Sequence, residues 1–284
     1  MFLLTIVIQI ILMSVPVVGQ QTLSVKKTTG KKHTLLIILC HADDFISIAP
    51  LIPKYAAEGH AIYYLALTGR NDSIEMVPGG KKYTQMQCAA TVLGFREATA
   101  FVDTTTQQQR VSSQLRSVAG NARQIITSID SIKPDVLITW GPDGLTGHQH
   151  HIQIGNIVTR VFQQQSLLKH KPKKLYHIAY PESLFPDDRI PLGVMAAGSN
   201  VNNNEAGPFG TLTDGFITTT INANDYLKQT RTALACLTFP KGNENKQWQE
   251  QWYERLAVTL GGKVFLRQVF PTSQGKQTDI FKGL

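Results

Sequence analysis

The chain has 284 residues and a mass of 31.4 kDa, with 42% apolar and 17% charged residues. That balance excludes a disordered chain and a long coiled coil, and the length suits one large domain or two small ones. The net charge of +8 admits anionic partners, but the densest lysine clusters, Lys26-Lys27, Lys31-Lys32 and Lys169 to Lys174, lie in apparent linkers, and no basic helix or aromatic-interleaved strand accompanies them. Nucleic acid is therefore not an expected partner.

Residues Phe2 to Val18 are almost all apolar, and no charged side chain precedes Lys26. The run ends in Val17-Val18-Gly19, which suits a signal peptidase, so residues 1–19 are expected to be a signal peptide. It lacks a basic start. A membrane-anchoring helix is the competing reading, although the run is borderline short for a span of about 20 residues. The mature protein is expected to be exported, periplasmic or extracellular, with no stable membrane span. A polar linker covers residues 20–33, and a single domain covers residues 34–284.

Within that domain strands and helices alternate. Thr34 to Leu39, Ala61 to Leu67 and Asp135 to Trp140 are continuous apolar runs, as in strands buried on both faces. Between and after them come helical stripes: Met86, Ala89, Ala90 and Leu93; then Leu115, Val118, Ala119, Ala122, Ile125, Ile126 and Ile129; then Ile154, Ile157, Val158, Val161 and Phe162. Leu175 to Tyr180 and Gly215 to Thr220 suggest further strands, Ala223 to Leu237 and Trp248 to Leu260 helices, and Lys263 to Val269 a last strand. Pro181 to Thr213, rich in Gly, Asn, Pro and Asp, is a lid, a binding loop or a disordered insertion. The order implies an α/β fold with a Rossmann-like, doubly wound, mostly parallel sheet that binds ligands at the carboxyl ends of its strands.

Two clusters stand at such ends. The first strand runs into Cys40-His41-Ala42-Asp43-Asp44, where His41 and Asp44 are spaced to aim at one ion. The Asp135–Trp140 strand runs into Gly141 to Gly147 and then His148-Gln149-His150-His151 at a helix start. A His, a carboxylate and a second His make a His₂Asp set with an open position, suited to metal-assisted hydrolysis. No Gly-x-Ser-x-Gly elbow and no phosphate-cradling glycine loop is present. His33, His60, His170 and His177 are expected to be surface or core histidines.

These residues resemble the LmbE-like, or PIG-L, family of zinc-dependent N-acetylglucosaminyl N-deacetylases, which carry His-Pro-Asp-Asp-Glu and Gly-His-x-Asp-His at the two places. Leu67-Thr68-Gly69-Arg70-Asn71 and the Leu93-Gly94 helix end fit the same pattern. The resemblance implies one Zn²⁺ per chain held by His41, Asp44 and His151. It implies Asp43 as general base and His148 as the group that stabilises the oxyanion or protonates the leaving amine. Asp103 and Arg70 would contact substrate, a small molecule or glycan bearing an N-acyl amino sugar. Ala42, Phe45, Pro50-Leu51, His150 and Leu237 depart from the pattern, mostly on the substrate side. A non-catalytic glycan-binding protein on the same scaffold, or a hydrolase of another small amide, are the alternatives. Cys40, Cys88 and Cys236 read as three buried thiols, with one disulfide plus one thiol as the alternative.

Overall fold

The computed structural model describes residues 30–67, 73–75, 82–100, 117–185, 210–236, 259–273 and 275–284. The expected signal peptide, Arg70, Asp103, Leu237, most of the Pro181–Thr213 stretch and all but the last two residues of the Trp248–Leu260 helix lie outside them.

Among the described residues seven strands form one sheet: β1 (Thr34–Leu39), β2 (Ala61–Ala66), β5 (Glu97–Ala100), β6 (Val136–Trp140), β7 (Lys174–Ile178), β8 (Thr219–Asn222) and β9 (Lys263–Phe270). Their order is β5-β2-β1-β6-β7-β9-β8, and β3 (Ser73–Glu75) with β4 (Lys82–Thr84) makes a separate antiparallel pair. The five strands from β5 to β7 are parallel, while β9 runs antiparallel to both β7 and β8. The expected doubly wound, mostly parallel sheet is therefore present.

Strand β1 shows why the sequence folds this way. With side chains alternating, Leu35, Ile37 and Leu39 join one core, packed with residues of α1 (Leu51–Ala57), α2 (Gln85–Leu93) and α5 (Leu227–Leu234). Leu36, Ile38 and Cys40 join the other, with α3 (Val118–Ile132) and α4 (Gln149–Gln163). Both faces are covered, so the strand needs an apolar residue at every position. From β1 the chain winds outward through β2 to β5, and β6 then takes the other side of β1. The reversal leaves a crevice above the carboxyl ends of β1 and β6.

Several expectations shift. The strand expected at Gly215 to Thr220 begins at Thr219, because Asp214–Phe216 forms a 3₁₀ turn. The helix expected from Ala223 begins at Leu227, after another 3₁₀ turn at Asn224–Tyr226. In the longest stripe Val118 and Ala119 are exposed, since α3 is capped by Ser117 and its first turn overhangs the sheet; Asn121 is buried instead. The reading of three buried thiols is corrected: Cys88 on α2 and Cys236 just past α5 form a disulfide with Cα atoms 5.6 Å apart. Cys40 is the buried cysteine outside it.

The polar linker is docked before its end. His33 is buried, its carbonyl accepts from the N–H of Ala61, and its N–H donates to His60 Nδ1. At the far edge, beside β8, the N–H and carbonyl of Gln277 pair with the carbonyl of Thr218 and the N–H of Thr220. Beyond β7, Pro181 bridges Leu212, so the two ends of the Gly/Asn-rich stretch are pinned together.

Candidate active site

The first loop is tied by a single carboxylate. Asp44 opens a 3₁₀ turn, Asp44–Ile48, and folds back on the strand end. Its Oδ2 accepts the backbone N–H groups of Cys40 at 3.0 Å and His41 at 2.8 Å. Its Oδ1 is left facing His41 Nδ1 and His151 Nε2, each at 3.2 Å. From β2, the Tyr64 hydroxyl donates to the carbonyl of His41 at 2.6 Å and fixes the peptide that carries the imidazole.

The second loop needs its glycines. Gly144 has φ +66°, and a Cβ there would come within 2.8 Å of the His151 Cβ. Leu145 follows with φ 60°, also left-handed. Gly155 lets α4 approach the end of β6, because its Cβ would stand 2.6 Å from the carbonyl oxygen of Trp140. His148 caps α4: its Nδ1 accepts the N–H of His150 at 3.1 Å, which leaves Nε2 as the protonated nitrogen of the neutral ring.

His151 is held on three sides. Its Nδ1 lies 3.1 Å from both the Gly144 carbonyl and the Thr146 hydroxyl. The indole of Trp140 stacks on its ring at 4.3 Å and 10°. A carbonyl accepts only, so Nδ1 carries the proton and Nε2 presents a lone pair. That Nε2 is 3.2 Å from His41 Nδ1.

Three electron-pair donors thus converge at 3.2 Å from one another. A proton on His41 Nδ1, or a cation in its place, is what holds them together. Zn²⁺ takes tetrahedral N and O ligands at about 2.0–2.1 Å, which requires ligand separations of roughly 3.3–3.4 Å. The donor types, the tautomer of His151 and the spacing all fit a divalent cation.

The electrostatics follow. Burial opposes charge on His41, yet the Asp44 carboxylate overrides it and raises the pKa to about 11. Burial also opposes ionisation of Asp44, and His151 and His41 hold it well below the usual carboxylate range. Asp43 is pushed up by burial and by the Asp44 charge. His148 is pulled down to about 4 by burial and by the neighbouring His151 and His41, so it is neutral at neutral pH.

The structure brings together His41, Asp44 and His151, with Asp43 and His148 at the rim. Candidate ligand atoms of His41, Asp43 and Asp44 lie within 4.8 Å of one another, as do those of His41, His148 and His151. His150 is also near, its ring 5.7 Å from that of His41. Tyr64, Thr146 and Trp140 were not singled out from sequence. Only Thr146, a hydroxyl two residues before a histidine in a glycine-rich loop, gave a local signal. His33, His60, His170 and His177 are away from the trio, in contacts with Phe281, Pro134 and Thr159, as expected of surface or core histidines.

Residues 36–162 match the family model described as PIG-L: GlcNAc-PI de-N-acetylase. A curated relative, the 1D-myo-inositol 2-acetamido-2-deoxy-alpha-D-glucopyranoside deacetylase of Acidothermus cellulolyticus, is 24% identical over 89% of this chain and 95% of its own length. The enzyme of the same name from Thermobifida fusca is 24% identical over 70% of this chain and 80% of its own. Among solved structures, GalB, the 4-carboxy-2-hydroxymuconate hydratase of Pseudomonas putida KT2440, superposes with a TM-score of 0.53 at 13% identity, over 86% of this chain and 99% of that one. This last likeness is one of fold, and a fold of this kind hosts more than one reaction. Residues 36–162, the part of the chain that matches the PIG-L model, hold both motif loops and the whole donor trio.

Proposed function

We propose that the protein is an exported, zinc-dependent N-deacetylase that removes an acetyl group from an N-acetylglucosamine-type conjugate. The observation that carries this reading is the convergence of His41 Nδ1, Asp44 Oδ1 and His151 Nε2 from two strand ends. The family match and the names of the relatives support the amino-sugar amide as substrate class.

His41, Asp44 and His151 would hold one Zn²⁺, which supplies a Lewis acid for the amide carbonyl and acidifies a bound water towards about pKa 7. Asp43 would accept the proton of the attacking water. Its raised pKa makes it a stronger base than an ordinary carboxylate and leaves it able to pass the proton to the departing nitrogen. His148, neutral and with Nε2–H as donor, stabilises the tetrahedral oxyanion, because its Nδ1 is already committed to the His150 N–H. Arg70 and Asp103 would contact the sugar.

Export rests on the apolar segment Phe2 to Val18 and on the Cys88–Cys236 disulfide, a bond that persists in oxidising compartments. The test is zinc content and acetate release on N-acetylglucosaminyl conjugates and unrelated acetamides, for the parent, Asp44→Ala and Asp43→Asn. Asp44→Ala should lose the zinc. Asp43→Asn should keep it and lose roughly 10²–10⁴-fold in kcat. A parent that takes up no zinc would sink the proposal, and one that binds zinc but releases no acetate would favour a glycan-binding role.

A further inference from the structure

We propose that Cys40, His41 and His150 form a second metal-binding set, suited to soft, thiophilic divalent ions, which draws on the same His41 as the trio. One candidate ligand atom from each of the three lies within 4.8 Å of the others. The fold brings them together for a simple reason. Alternation along β1 turns Cys40 towards the α3/α4 layer, and His150 stands in the first turn of α4, above the same strand end. The buried Nδ1 of His150 has no hydrogen-bond partner among the described residues, so this nitrogen keeps an unused donor or acceptor function. The donor set differs in kind from the trio. Sulfur with two imidazoles prefers a soft divalent ion such as Cd²⁺ and also accepts Zn²⁺, whereas the trio includes a hard carboxylate oxygen. Ligand atoms within 4.8 Å of one another need only a small inward shift of the partly buried His150 side chain to reach the edge of a metal's ligand shell. Coordination forms a metal–sulfur bond, the thiol proton passes to solvent, and no electrons are transferred. Because His41 is common to both sets, occupancy of the second set weakens the first.

Cys40 supplies the only thiol, since the other two of the three cysteines are bonded to each other. The experiment adds Cd²⁺ to zinc-loaded full-length protein and follows the ultraviolet thiolate-to-cadmium charge-transfer band together with acetate release. The expected result is a band in the parent that grows as activity falls. Cys40→Ser should show no band and resist cadmium while keeping its zinc, and His150→Asn should need about tenfold more cadmium. Absence of the band in the parent, or an unchanged titration in His150→Asn, would overturn the proposal. The band reads metal at sulfur, so it stands or falls separately from deacetylase activity.

Discussion

Gly155→Ala tests how closely the site depends on one helix–strand approach. The new methyl would meet the Trp140 carbonyl oxygen at 2.6 Å and the Gly141 carbonyl oxygen at 3.0 Å, both backbone atoms that cannot swing away. Ordinary contact begins at 3.4 Å, so α4 must lift from the end of β6 by about 0.8 Å. The same helix carries His148 and His151, and metal sites tolerate roughly 0.5 Å of displacement in their ligands. The expected cost is about 1–3 kcal/mol of stability, read as a Tm lowered by roughly 2–12 °C, with zinc affinity weakened about 10–100-fold. Thermal denaturation and zinc competition against a chromogenic chelator measure both. Gly215→Ala is the control, because nothing lies within 4 Å of its Cβ position and it should behave as the parent. A Gly155→Ala protein with parental zinc affinity and Tm would refute the idea that α4 is set to a fraction of an ångström by this contact.

Two other outcomes follow from the packing. Cys88→Ser should lower stability by about 3–5 kcal/mol in urea unfolding, because the bond closes a loop spanning 148 positions; parental stability under oxidising conditions would contradict that. His177 is buried against the Thr159 hydroxyl, with its pKa lowered to about 4 by burial and by Arg267. The unfolded chain takes a proton near pH 6.5 that the folded chain refuses until about pH 4, so stability is full above 6.5 and falls as the pH drops. His177→Gln should flatten that fall by up to about 3 kcal/mol in denaturation midpoints compared between pH 7 and pH 4, and an equally steep profile would show that His177 is not a source of it.

How much of this was legible in the sequence depends on the distance over which each feature is specified. Strand β1 lies where its apolar run lies, Thr34–Leu39, because burial on both faces leaves an uninterrupted local pattern. The two clusters were legible for a related reason: each follows directly on such a strand, and parallel neighbours bring strand ends to one edge, whereas the choice of His151 among three histidines came from the family resemblance. What surrounds the trio was not. Tyr64 reaches His41 from the neighbouring strand, and the pairing of Cys88 with Cys236 exists only because α2 packs on α5. The late strand was misplaced by four residues because Phe216, apolar in the pattern, sits half-exposed with Arg267 over its ring. The exposed Val118 shows the converse limit, since periodicity marks a helix face but not where the sheet beneath it ends.

The short pairing of Gln277 beside β8 bears on self-association. An outermost strand presents unpaired N–H and carbonyl groups that can template a strand from another molecule. Here Gln277 takes the Thr218 carbonyl and the Thr220 N–H, and the Lys276 ammonium is bound to the carbonyls of Asp214 and Ile217 beside it. A second copy could not extend the sheet along this stretch without first peeling that segment away. The cover puts a charged lysine and a single isolated bridge where a longer aggregation-prone ladder would otherwise face solvent.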